Sequence, residues 1–130
     1  MYNTEWKEAY IENACLDRTD QTITQTYFNL IEPKEIEYGK DISLFNRDEI
    51  FDVYKFINPT SIAYLSRLKA ALFEYTDFCK SSGYIPLDTI NLYDNFTSDE
   101  LVSCLNKEII QNRKLSRESI LNMCIGIAPR

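Results

Sequence analysis

NPTSIAYLSRLKAALFEYTDFCKSSGYIP, residues Asn58 to Pro86, is a helix written with its own start and stop signals. The residue before a proline is pushed out of the helical region, so Asn58-Pro59 breaks whatever precedes it. Thr60 or Ser61 then caps the new helix by accepting from a free first-turn amide. Ile62, Leu65, Leu68, Leu72, Tyr75 and Cys79 follow at steps of three or four and fall on one face. Gly83 supplies the left-handed conformation that ends it. The spacing predicts an unbroken helix from about Thr60 to Ser82, the longest of the chain, with Tyr75 and Phe78 as anchors in or near the core.

Working outward, the flanks also carry helical punctuation. A first amphipathic helix is expected over about Thr4 to Cys15, with Trp6, Ala9, Tyr10 and Ala14 inward. A second starts near Thr19-Asp20 and puts Ile23, Tyr27, Leu30 and Ile31 on one stripe. Pro33 is expected to end or kink it, leaving a short turn to Tyr38 closed by Gly39. Asn46 and Glu49 form a capping box for a third helix with Ile50, Val53, Tyr54 and Ile57 as its seam. Downstream, LDTINLYDNF lacks helical spacing. Thr97 to Glu100 is a second capping box, with Leu101, Val102 and Leu105 inward, and Ser116 caps one more short helix. With no repeat and no hairpin signal, the expected fold is all-α. About four helices occupy residues 1–86, and residues 87–130 form a short helical extension.

The 130 residues suit one helical core. No apolar run approaches the ~18 residues of a membrane span, and the acidic N-terminus does not read as a signal peptide; a cytoplasmic location and no membrane contact are expected. Cys15, Cys79, Cys104 and Cys124 form no C-x-x-C pair, and the chain has no histidine to complete a zinc site. They read as buried thiols, with neither metal nor cofactor expected. The lack of histidine also excludes Ser-His-Asp and Cys-His nucleophiles, and the three glycines form no phosphate-cradling loop. Asp48/Glu49 and Asp99/Glu100 lie in first helical turns, where they complement the helix dipole. No enzymatic activity is expected.

The net charge of −6 is unevenly spread. Residues 1–54 hold twelve acidic against five basic side chains, whereas residues 55–86 hold four basic against two acidic. The long helix is thus the one locally basic element of an acidic chain.

That helix, preceded by TDQTITQTYFNLIEPKEIEYGKDISLFNRDEIFDVYKFI (Thr19 to Ile57), resembles the SAM-like core-binding domain at the N-terminus of tyrosine recombinases, the phage integrases. Within that group it looks nearest to the recombinase-like lytic-cycle repressors of SPβ-type phages, over roughly residues 1–124. The family's catalytic constellation of Arg, Lys, His-x-x-Arg and a nucleophilic Tyr has no counterpart here, so no catalytic position is carried over. The resemblance implies that the long helix enters a DNA major groove through Thr60, Ser61, Tyr64, Arg67 and Lys69. It also implies that the basic run Lys107, Arg113, Lys114, Arg117 follows the linker across the backbone, with Lys114 and Arg117 on phosphates. The plainer alternative, a solvated helix face, stays open for both clusters. The expected function is a non-catalytic DNA-binding regulator. Its alternatives are an acidic module that binds a host or phage protein through exposed aromatics (Tyr2, Trp6, Tyr93, Phe96), or the N-terminal part of a complete integrase. Self-association is left open.

Overall fold

A computed structural model describes residues 1–106. They form α1 (Thr4–Ala14), α2 (Arg18–Tyr38), a 3-10 turn (Ile42–Leu44), α3 (Arg47–Ile57), α4 (Ile62–Ser81), a second 3-10 turn (Leu92–Asp94) and α5 (Ser98–Val102). The fold is all-α, with no strand among the described residues. The expected Ser116-capped helix and the Lys107–Arg117 run lie outside them.

Helix α4 is the axis of the bundle: it packs against α1, both 3-10 turns and α5, while α2 packs against α1 and α3. Its Leu65, Leu68, Leu72, Tyr75 and Cys79 are fully buried, as are Ile31, Ile42, Ile50, Val53 and Tyr54 around it. Ser61 Oγ accepts from the Tyr64 amide and Gly83 takes a positive φ of 79°, so both signals at its ends act as read. The Asn46/Glu49 and Thr97/Glu100 capping boxes are also formed. Edge-to-face contacts bind the layers: Tyr10 meets Phe28, Tyr75 and Phe78 with ring centroids 5.4–6.1 Å apart. Residues after Pro86 reach the same core, where Tyr93, Phe96, Leu101 and Cys104 are buried.

Several expectations are corrected. Helix α2 continues past Pro33 rather than ending there and, at 21 residues, is one longer than α4. Ile31 and Glu35 are both fully buried on either side of the proline, which itself faces solvent. Tertiary anchoring thus holds the turn together despite the missing amide. The buried stripe of α2 is Thr24, Tyr27, Phe28, Ile31 and Glu35, which rotates Ile23 and Leu30 to its exposed flank. On α1, Tyr10, Ile11 and Lys7 are buried and Ala14 is exposed, because a lysine takes a core position that the apolar pattern had assigned elsewhere. Ile62 and Val102 are exposed as well, each lying in the first or last turn of its helix.

Lys7 adds a polar anchor to the packing of α1. Its ammonium donates to Glu35 Oε2 at 2.7 Å, Asp41 Oδ1 at 2.8 Å and the Tyr2 carbonyl at 2.6 Å. Asp41 also accepts from the Tyr75 hydroxyl at 3.0 Å and the Ser43 amide at 3.0 Å, and Glu35 Oε2 from the Ile42 amide at 2.8 Å. One buried cluster therefore ties α1, α2, the first 3-10 turn and α4 together. Glu35 Oε1 alone has no partner. Burial, with Asp41 adding to it, pushes the Glu35 carboxyl up to about 7, against the opposing pull of Lys7 and the Ile42 amide.

Candidate nucleic-acid interface

The first half of α4 follows a tight turn from α3. Asn58 ends α3 in the left-handed conformation, φ 57°, where a short polar side chain is tolerated. Pro59 is buried, and its carbonyl accepts from the Asn106 amide at 2.8 Å. That bond brings the last described residue, Asn106, to the N-terminal end of α4.

The five nominated residues do not share one face. At 3.6 residues per turn, residues 63, 67, 70 and 74 of α4 lie on a stripe opposite the buried seam. Ala63, Arg67, Ala70 and Glu74 are all exposed there, Ser66 is exposed beside them, and Thr60 is exposed just before the Ser61 cap, outside the helix. Arg67 is central to it. Lys69, two residues on, is rotated by about 200° from Arg67 and sits half-buried on the flank of Ile62 and Phe73. Tyr64 is half-buried and packs edge-to-face on Tyr27, 6.0 Å between centroids; partial burial raises its hydroxyl pKa. Ser61 spends its oxygen as the cap. Arg67 therefore faces outward from the seam, whereas Lys69 points elsewhere. Lys114 and Arg117 lie outside the described residues. The sequence reading passed over Ala63, Ser66 and Ala70, although a count of threes and fours from Arg67 finds the two alanines. Small side chains let a helix approach a groove wall closely.

Ion pairing divides the cations. Lys7, Lys34, Lys40 and Arg47 each hold carboxylates at 2.7–2.9 Å. These are four of the five basic side chains of residues 1–54. Among the described residues, Lys55, Arg67, Lys69 and Lys80 enter no ion pair. The acidic half pairs all its cations but Arg18, and the α4 region keeps its cations available. Glu74 marks the limit of the outward stripe, where a carboxylate would repel phosphates.

Of the aromatics considered as protein-binding anchors, Tyr93 and Phe96 are buried in the core, and Trp6 stacks on Tyr84 at 5.0 Å. No helix among the described residues is long and apolar enough to cross a membrane. A family model described as the MrpR N-terminal core-binding domain matches residues 1–81. No curated protein matches the chain.

Proposed function

This chain belongs to the MrpR N-terminal core-binding domain family, a recombinase-like module, and on that footing we propose that it is a non-catalytic, DNA-binding regulator of phage type. The outward stripe of α4 from Ala63 to Ala70, with Thr60 just before its cap, enters a major groove. The observation that carries this reading is Arg67, exposed at the centre of that stripe and without an ion pair among the described residues. A guanidinium so placed reads guanine O6 and N7 in two bonds, while Thr60 and Ser66 suit phosphate oxygens. Lys114 and Arg117 follow on the flanking backbone, and the Asn106–Pro59 bond, which brings the last described residue to the start of α4, supports this reading.

Regulation rather than strand chemistry is the proposed role, since no residue here matches a recombinase nucleophile with its histidine partner. Covalent attachment of the chain to a suicide DNA substrate would contradict it. The competing acidic protein-binding module loses Tyr93 and Phe96 as anchors.

The test is selection of duplexes from a random-sequence pool, followed by fluorescence anisotropy on the selected duplex at about 50 and about 200 mM salt. Affinity is expected to be weak and to fall with salt, each neutralised phosphate contributing about −0.9 to the log–log slope. Arg67→Ala is expected to relax sequence preference by ~1–3 kcal/mol, and Lys114→Ala to weaken all duplexes alike and flatten the slope by about 1. No selected duplex, with wild type and Arg67→Ala equally inert at low salt, ends the reading.

A further inference from the structure

A cleft of about 570 Å³ opens between the end of α1 and the last turns of α4, a size in the range of apolar binding sites. The buried Tyr10 and the half-buried Phe78 pack edge-to-face with ring centroids 5.4 Å apart and give it an aromatic floor. Leu87, 74 % exposed, stands at its side. Glu74 and Asp77 are exposed at the same cleft, and neither enters an ion pair among the described residues. Glu74 accepts from the Tyr10 hydroxyl at 3.5 Å, and Asp77 from the side-chain amide of Asn91 at 3.1 Å. Burial, and after it the charge of Glu74, raises the pKa of that hydroxyl, so the floor lies in a negative field. Lys80, the one cation among the lining residues, sits in the last turn of α4, where the helix dipole favours it.

We propose that this cleft docks a basic amphipathic helix of a partner protein, with an apolar side chain against Phe78 and Leu87 and lysines or arginines beside Glu74 and Asp77. Charge complementarity selects the occupant. An apolar floor alone takes any hydrophobic segment, whereas two unpaired carboxylates beside it favour a cationic one and repel nucleic acid. A helix meets both demands, because its residues three and four apart share a face. The basic stripe of a second copy fits less well, since Ala63, Ser66 and Ala70 beside its Arg67 are too small to fill the cleft. Asp77 lies ten residues beyond Arg67, about 15 Å along α4, so a partner seated here leaves Arg67 open. One helix thus carries a cationic surface near its start and an anionic one at its end. The docking does not depend on DNA.

The probe is a peptide of alanine, lysine and leucine, about 16 residues long so that it can form a helix, with its lysines and leucines on one face. A second peptide carries glutamate in place of lysine. In amide NMR of the full chain without DNA, the lysine peptide is expected to shift Tyr10, Ala14, Leu87 and residues 74–81, and the glutamate peptide to shift none of them. Glu74→Gln combined with Asp77→Asn is expected to weaken binding roughly tenfold, the worth of two exposed ion pairs. Glu5→Gln combined with Glu8→Gln removes the same charge from the exposed side of α1 and is expected to leave binding unchanged. Leu87→Ser is expected to weaken it too, and the exposure of Leu87 spares the core. Equal weakening by the two double variants, or shifts spread over every acidic face, would reduce the contact to net charge and overturn the proposal. Equal binding of both peptides, or of neither, overturns it as well. Shifts at the cleft that grow with protein concentration alone also overturn it, and assign the cleft to a second copy.

Discussion

Replacing Lys7 by methionine would leave Glu35 and Asp41 facing each other inside the bundle without their cation. Breaking a buried pair by removing one partner typically costs ~3–5 kcal/mol, so Lys7→Met is expected to lose that much in urea melts at neutral pH. A loss below about 1 kcal/mol would mean that the cluster is solvated in solution. Glu35 adds a pH dependence. Its carboxyl lies near 7 in the folded chain against an ordinary 4.5, so the folded state holds the proton more tightly than the unfolded one. This group's contribution is therefore fully present below about pH 4.5 and is lost as pH rises through about 7, on the order of 3 kcal/mol in all. Glu35→Gln is expected to flatten that descent. Parallel stability–pH curves for wild type and variant between about pH 5 and 8 would rule the assignment out.

At the scale of the element, α2 and α4 teach opposite lessons. Helix α4 follows the start and stop signals in its sequence, from the Ser61 cap to Gly83, with only Ile62 of its apolar seam left exposed. Helix α2 overrides one. Pro33 provides no amide for the Asn29 carbonyl, yet the helix continues because Ile31 and Glu35 are locked in place on its inner face. Pro33→Ala restores that donor at an exposed site, and it is expected to stabilise the chain by ~1–2 kcal/mol after the entropy released to the unfolded state is discounted. A melting temperature unchanged or lowered would show that the proline is accommodated without cost. The rotation of α4 also separates Arg67 from Lys69. Lys69→Ala is accordingly expected to leave base preference on the selected duplex intact, whereas a loss equal to that of Arg67→Ala would place both on one DNA face.

For the whole molecule, the family match ends at residue 81, but the core does not. Tyr93 is 1 % exposed and its hydroxyl donates to the Ile42 carbonyl. Phe96 packs on Phe51 at 5.0 Å, and Arg47 clasps Glu100 at 2.7 Å to join α3 to α5. Removing a buried aromatic typically costs ~3–5 kcal/mol, so Tyr93→Ala is expected to bring a domain of this size close to unfolding. A chain ended after Pro86 is expected to lose its cooperative thermal transition. An intact, sharp transition in that shortened chain would make residues 87–106 an accessory layer.

The caps at Asn46, Ser61 and Thr97, the stop at Gly83 and the apolar seams of α3 and α4 were legible because each acts within one or two turns of its own residues. The all-α class followed from them, and so did Arg67 as a candidate contact. Three things depended on residues far apart in the chain. Lys7 reads like any surface lysine until Glu35 and Asp41, 28 and 34 residues on, close around it. Pro33 reads as a break until packing on both sides outweighs one lost hydrogen bond. Tyr93 and Phe96 sit in a stretch without periodicity, so nothing local marks them as core. Local sequence determined where the helices begin and end; only tertiary contact decided which charge is buried, which face of α4 looks outward and how far the core extends, because burial is a property of neighbours that the chain order does not list.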